Sequence, residues 1–131
     1  MSKKILLLGE DEKDVSEMYK IAFEKAGFKV LTAFDGEEVI KMAKKEIPDV
    51  VLLDINMPKK DGFEVLQDIS EDPVLYRAFG RIPVIMLTNY SNTQDIDYCM
   101  KMGAQDYIVK VEWTPEKVVK KVESYLKEME S

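Results

Sequence analysis

Four apolar runs in this 131-residue chain end on side chains that can do chemistry. Ile5-Leu6-Leu7-Leu8 passes through Gly9 into Glu10-Asp11, and Val50-Val51-Leu52-Leu53 stops on Asp54. Residues 82–87 stop on Thr88, and Tyr107-Ile108-Val109 stops on Lys110. If these ends meet, they assemble three carboxylates, a hydroxyl and an ammonium. Clustered carboxylates raise one another's pKa unless a cation is present. Oxygen donors of this kind suit Mg²⁺, with Mn²⁺ as the alternative, and Mg²⁺ keeps several waters while bridging to phosphoryl oxygens. Asp54 then has two compatible roles, metal ligand and nucleophile. A carboxylate can attack a phosphoryl group to give an acyl phosphate, and a cation on either side, Mg²⁺ and Lys110, would stabilise the transferring charge.

For the ends to meet, the runs must be neighbouring strands with a common direction. They are continuous rather than alternating, as in strands buried on both faces. Residues 28–33 supply a fifth strand. Between the strands lie helical stretches with apolar stripes. The first, residues 13–26, turns Val15, Met18, Ala22 and Ala26 inward with Tyr19 and Phe23 beside them, and Gly27 caps it. The second follows Asp35-Gly36 with Val39, Ile40, Ala43 and Ile47, and Pro48 stops it. The third follows Asp61-Gly62 with Val65, Leu66 and Ile69 and ends near Asp72-Pro73. The fourth is polar, capped by Ser91 or Asn92, with Ile96, Cys99 and Met100 on one side and Gly103 at its end. The last starts at Thr114-Pro115 and carries Val118, Val119, Val122, Leu126 and Met129. Five βα units predict a parallel sheet covered by helices on both faces, and right-handed crossovers place every strand's C-terminal end along one edge. Open α/β sheets hold ligands at that edge.

Bulk properties narrow the function. The net charge of −6 argues against direct contact with nucleic acid or an anionic membrane. The single cysteine, Cys99, excludes an internal disulfide and reads as a small buried hydrophobe. The absence of histidine removes a histidine base or histidine-held metal. Lys3-Lys4 before the first apolar run is not a signal peptide, because the run is short and closes on Glu10-Asp11. A cytoplasmic, soluble domain filling residues 1–131 is the expectation.

Taken together, these residues resemble the response-regulator receiver domains of two-component signalling systems, from end to end. The matching elements are Glu10-Asp11, Asp54-Ile55-Asn56-Met57-Pro58, Asp61-Gly62-Phe63-Glu64-Val65-Leu66, residues 82–88, and Gly103-Ala104-Gln105-Asp106-Tyr107 followed by Lys110. The resemblance implies a flavodoxin-like, doubly wound (βα)5 sandwich of three layers with sheet order 2-1-3-4-5. It implies that Asp54 accepts a phosphoryl group from a sensor histidine kinase or phosphotransfer protein. Asp11 would be the direct Mg²⁺ ligand, Glu10 would act through a bound water, and Asn56 would offer its backbone carbonyl. Lys110 and Thr88 would take phosphoryl oxygens. Tyr107 would turn inward as Thr88 moves, altering the face formed by the helix from Ser91, the fifth strand and the helix from Thr114, which passes the signal to a downstream protein. Catalysis would be limited to the chain's own phosphorylation and dephosphorylation. Both a monomer and a phosphorylation-dependent homodimer fit that scheme.

Alone, each feature has a plainer reading. Glu10-Asp11 would favour the dipole of the next helix, Thr88 would cap one, Tyr107 would be a half-buried aromatic, and Lys110 a solvated lysine. Two rival functions follow: an aspartyl-phosphate hydrolase like the haloacid dehalogenases, whose Asp-x-Asp-x-Thr arrangement is absent, and a docking module that is never phosphorylated. Three departures from the family pattern also carry expectations. Lys110 is followed by Val111 instead of proline, so a trans bond is expected, in a rebuilt loop with Trp113 packed down. Asn89-Tyr90 after Thr88 narrows the rim and implies a long-lived phosphoaspartate, testable against an Asn89→Ala, Tyr90→Glu double variant. Residues 72–81 are about four longer than usual and are expected to add a helical turn; the alternative is a partner contact through Tyr76 and Phe79.

Overall fold

A computed structural model describes residues 3–80, 82–89 and 93–130. Arg81, Tyr90, Ser91 and Asn92 lie outside the described residues, and with them the cap proposed at Ser91 or Asn92 and the rim residue Tyr90. The strands are β1 (Ile5–Gly9), β2 (Lys29–Ala33), β3 (Val50–Asp54), β4 (Val84–Thr88) and β5 (Asp106–Val109). The helices are α1 (Lys13–Lys25), α2 (Gly36–Lys45), α3 (Gly62–Glu71), α4 (Pro73–Phe79), α5 (Thr93–Lys101) and α6 (Pro115–Glu130), with a single 3-10 turn over Lys110–Glu112. All strand pairs are parallel, in the order β2-β1-β3-β4-β5. This is the doubly wound flavodoxin-like sandwich that the sequence implied.

Alternation along the central strands divides the core into two layers. Leu7, Val51, Leu53 and Met86 face α2, α3, α4 and α5 through Val39, Ala43, Val65, Leu66, Leu75 and Cys99. Leu6, Leu8, Leu52, Ile85, Leu87 and Ile108 face α1 and α6 through Tyr19, Phe23, Val118 and Val122. Because both faces are covered, β1, β3 and β4 carry no polar side chains until their C-terminal ends.

The helices depart from the expected pattern in several details: Ala26, Ile47 and Met129, expected on inward stripes, are exposed where their helices run out. On α1 the buried residues are Ser16, Tyr19 and Phe23, and Met18 is exposed. The large aromatic pair offers more apolar area than Met18 and Ala22, so the helix rotates to bury it. The long segment after α3 is helical, but as a separate helix instead of an added turn. Asp72 ends α3 and caps α4, accepting from the Val74 and Leu75 amides at 2.9 and 3.1 Å. Pro73 sits at the first position of α4, where its missing N–H costs nothing. Leu75 is completely buried and Phe79 packs on the core, while Val74 and Tyr76 stand in solvent. Of the two residues suggested as a partner contact, Tyr76 is exposed and Phe79 is half-buried against the core.

Candidate functional site

The register of the sheet sets the site. Gly9 pairs with Leu53 across β1 and β3, so Glu10 and Asp54, the next residue of each, end side by side. Asp54 pairs with Leu87, and Thr88 with Val109, so Lys110 leaves the sheet one residue beyond Thr88. Adjacent strands lie about 4.8 Å apart, and Lys110 must cross the end of β4 to reach Asp54. The long lysine stem does this. Its Nζ lies 2.9 Å from Asp54 Oδ2 and 3.0 and 2.9 Å from the two Glu10 oxygens.

The knot is dry. Glu10 is 0 % exposed and Asp54 2 %. Burial, reinforced by the neighbouring Asp54, pushes the Glu10 carboxyl up to about 8, against the pull of Lys110. Burial alone would depress the Lys110 ammonium, but its hydrogen bonds to Glu10 and Asp54 and their charges outweigh that and hold it above the ordinary lysine value. Asp54 is held from the other side by its own loop, whose Asn56 amide donates to Oδ1 at 3.1 Å. Gly62 packs under this loop so closely that a Cβ there would sit 2.8 Å from the Asp54 carbonyl oxygen.

Asp11 stands exposed at the mouth, and carboxylate oxygens of Glu10, Asp11 and Asp54 all lie within 4.8 Å of one another. Three carboxyl groups against one ammonium leave an excess of negative charge, the greater once Glu10 ionises, that a divalent cation would cancel, and hard oxygen donors are the set such a cation takes. The residues therefore fit Mg²⁺ or Mn²⁺. Thr88 is buried at the end of β4. Tyr107, on β5 opposite Met86, is 37 % exposed.

The structure thus brings together Glu10, Asp11, Asp54 and Lys110, with Thr88 at the next strand end and Tyr107 set apart toward solvent. The Lys110–Val111 bond is trans, as expected. Two features escaped the sequence reading. Glu10 is an ion-pair partner of Lys110, a pairing that no local pattern signals. Asp106, at the start of β5, accepts from the Tyr125 hydroxyl and pairs with Lys121 at 3.0 Å, tying the strand to α6. Cys99 is buried in the core, and burial pushes its thiol up to about 11, which is the inert behaviour expected of it.

Residues 6–123 match the family model described as the response regulator receiver domain. The alkaline phosphatase synthesis transcriptional regulatory protein PhoP of Bacillus subtilis is 34 % identical over 130 residues, 99 % of this chain and 51 % of that protein. The chain spans about half the length of the curated relatives it matches. The chemotaxis response regulator CheY4 of Vibrio cholerae has a similar structure, with a TM-score of 0.83 and 27 % identity over 94 % of this chain and 98 % of that one. The Mn²⁺-bound form of the response regulator Rcp1 matches with a TM-score of 0.77 and 28 % identity over 93 % of each chain. Among the described residues, no helix is long and apolar enough to cross a membrane.

Proposed function

The chain belongs to the response regulator receiver domains, the phosphoacceptors of two-component signalling, and from that membership we propose that Asp54 is its phosphoacceptor. The observation that carries this reading is the position of Asp54, buried at the end of a central strand with one oxygen on Lys110 and the other on the Asn56 amide. An oxygen of Asp54 attacks phosphorus, the bond from phosphorus to the donor breaks, and the electron pair leaves with the donor. For a sensor histidine kinase or phosphotransfer protein the donor atom is an imidazole nitrogen. Lys110 then follows the new charge, which adds about −1.5 to −2 at neutral pH.

Asp11, Asp54, the Asn56 carbonyl and, through water, Glu10 would hold a divalent cation, Mg²⁺ or Mn²⁺; the Mn²⁺ bound by the similar Rcp1 supports this assignment. The cation supplies charge neutralisation at the transferring phosphoryl oxygens. Thr88, at the adjoining strand end, donates its hydroxyl to one of those oxygens once Asp54 is modified. Tyr107, half in solvent beforehand, then moves inward, and the face made by α5, β5 and α6 changes its affinity for a downstream protein. The chain works as a switch within residues 1–131 and turns over no substrate beyond its own phosphoaspartate.

Incubation with Mg²⁺ and acetyl phosphate or beryllofluoride, read by intact mass and peptide mapping, tests this. Stable modification at Asp54 that disappears in Asp54→Asn supports the switch. Steady release of phosphate without accumulation indicates a hydrolase, and no modification indicates a docking module.

A further inference from the structure

Glu10 and Lys110 both lie one residue past their ladders, but the Glu10 amide still donates to the Ala33 carbonyl at 3.0 Å, which leaves Lys110 the more loosely placed. The β4–β5 ladder closes at Thr88 opposite Val109, one residue short of it. The chain then makes the 3-10 turn of Lys110–Glu112 and leaves toward α6. Val111 is 82 % exposed, and Glu112 is exposed as well, so little packing orients the middle of the turn. What anchors the far end is Trp113. Its ring packs against the α1/α6 layer of the core, and the Lys121 ammonium lies 4.9 Å from the ring centroid, within cation–π range. Lys121 also lies 5.7 Å from the Tyr125 ring and 3.0 Å from Asp106 Oδ2. The Tyr125 hydroxyl donates to the same Asp106 carboxylate. Asp106 begins β5, and Lys110 follows its end. Both ends of the short strand are therefore clamped to one stretch of α6, the front end through Asp106 and the back end through Trp113.

The geometry points to Trp113, held by Lys121, as the positioning residue that aims Lys110 at Asp54. This inference rests on the phosphoacceptor reading and adds to it the device that sets the lysine. Trp113 touches none of the reacting groups; it acts by fixing the carbonyl end of a turn whose first side chain must cross β4 to reach the carboxylates. A turn free at that end would let Nζ wander over the strand edge. Displacements of an ångström at a reacting group are enough to slow a reaction severely.

The test follows modification by acetyl phosphate with saturating Mg²⁺, by intact mass, in the full chain and in Trp113→Ala, Trp113→Phe, Lys121→Met, Lys110→Ala and the Trp113→Ala/Lys110→Ala pair. Lys110→Ala is expected to slow modification roughly a hundredfold, the scale of losing one preorganised donor. Trp113→Ala is expected to slow it roughly tenfold by misplacing the same donor, with Trp113→Phe restoring most of the rate. Lys121→Met, which leaves the ring and core in place, is expected to slow it by about two- to fivefold. Calorimetric Mg²⁺ affinity is unchanged by the changes at Trp113 and Lys121, since neither touches the carboxylates. In the Lys110→Ala background, removing Trp113 has no further effect on the rate. Wild-type rates in folded Trp113→Ala and Lys121→Met overturn the inference, as does a Trp113 loss that multiplies with the Lys110 loss. A wild-type rate in Lys110→Ala also overturns it, since a lysine without effect needs no aiming, whereas modification that persists in Asp54→Asn overturns the phosphoacceptor reading beneath it.

Discussion

The two halves of the sheet's C-terminal edge are built in opposite ways. At β1 and β3, Glu10 and Asp54 are buried and Lys110 bridges them, and the Asp54 loop is pinned by the Asn56 amide and packed tightly against Gly62. At β4 and β5 the edge is looser. Tyr107 is half in solvent, and among the described side chains of α5 only Cys99 is buried. The first half is already closed by its own hydrogen bonds, so little reorganisation would accompany the proposed phosphoryl transfer to Asp54. The described side chains of α5 have few buried apolar contacts, the property that lets an element shift at low cost. On the proposed reading, receiving and responding are separated by one strand, and Lys110 is the side chain that crosses it.

Hydrogen exchange should divide the edge in the same way, with α5 amides exchanging faster than those of β1 and β3; equal protection would erase the contrast. The largest stability effect is expected in the rigid half. Lys110→Met leaves Glu10 and Asp54 facing each other without a cation and should cost about 3–5 kcal/mol in cation-free urea unfolding, with part recovered on adding Mg²⁺. A loss near zero would mean the knot is not electrostatically closed. Gly62→Ala drives a methyl to 2.8 Å from the Asp54 carbonyl oxygen. It should cost about 1–3 kcal/mol by overpacking and slow modification of Asp54; a neutral result in both measurements would show that the loop is free to give way.

Glu10→Gln probes the same knot through pH. The folded value of about 8 lies above the ordinary 4.5. The stability this group contributes is therefore complete below pH 4.5 and is lost as pH rises through about 8. Glutamine has no such loss. Without divalent cations the variant should gain on the wild type across that window, by on the order of 1 kcal/mol or more at its upper end. Thermal melts at several pH values that show a constant difference would contradict the raised carboxyl. The smallest change is expected in the responding half. Tyr107→Phe should alter stability by no more than about 0.5 kcal/mol, yet change how far α5 exchange responds to beryllofluoride. An unchanged response would remove Tyr107 from the switch.

Much of this was legible in the chain. Strands buried on both faces leave continuous apolar runs, and the run ends at Glu10, Asp54, Thr88 and Lys110 stand out against them. Helix orientation was less legible. Tyr19 and Phe23 sit beside the expected stripe of α1, and only the competition for buried area decides that they displace Met18. The break at Pro73 was visible as a residue, but the separate helix beyond it depends on Leu75 finding a place in the core.

The sequence by itself determined the five strands, their common direction and the chemical groups at their ends, because hydrophobic pattern and turn residues are local signals. It also determined that the bond after Lys110 is an ordinary one, since valine lacks proline's tolerance for the cis form. Only the tertiary structure decided which groups that lysine takes. Glu10 and Lys110 are 100 residues apart in the chain. Their pairing depends on strand register, on the reach of one side chain across β4, and on a turn held at its far end by Trp113, none of which a one-dimensional pattern records.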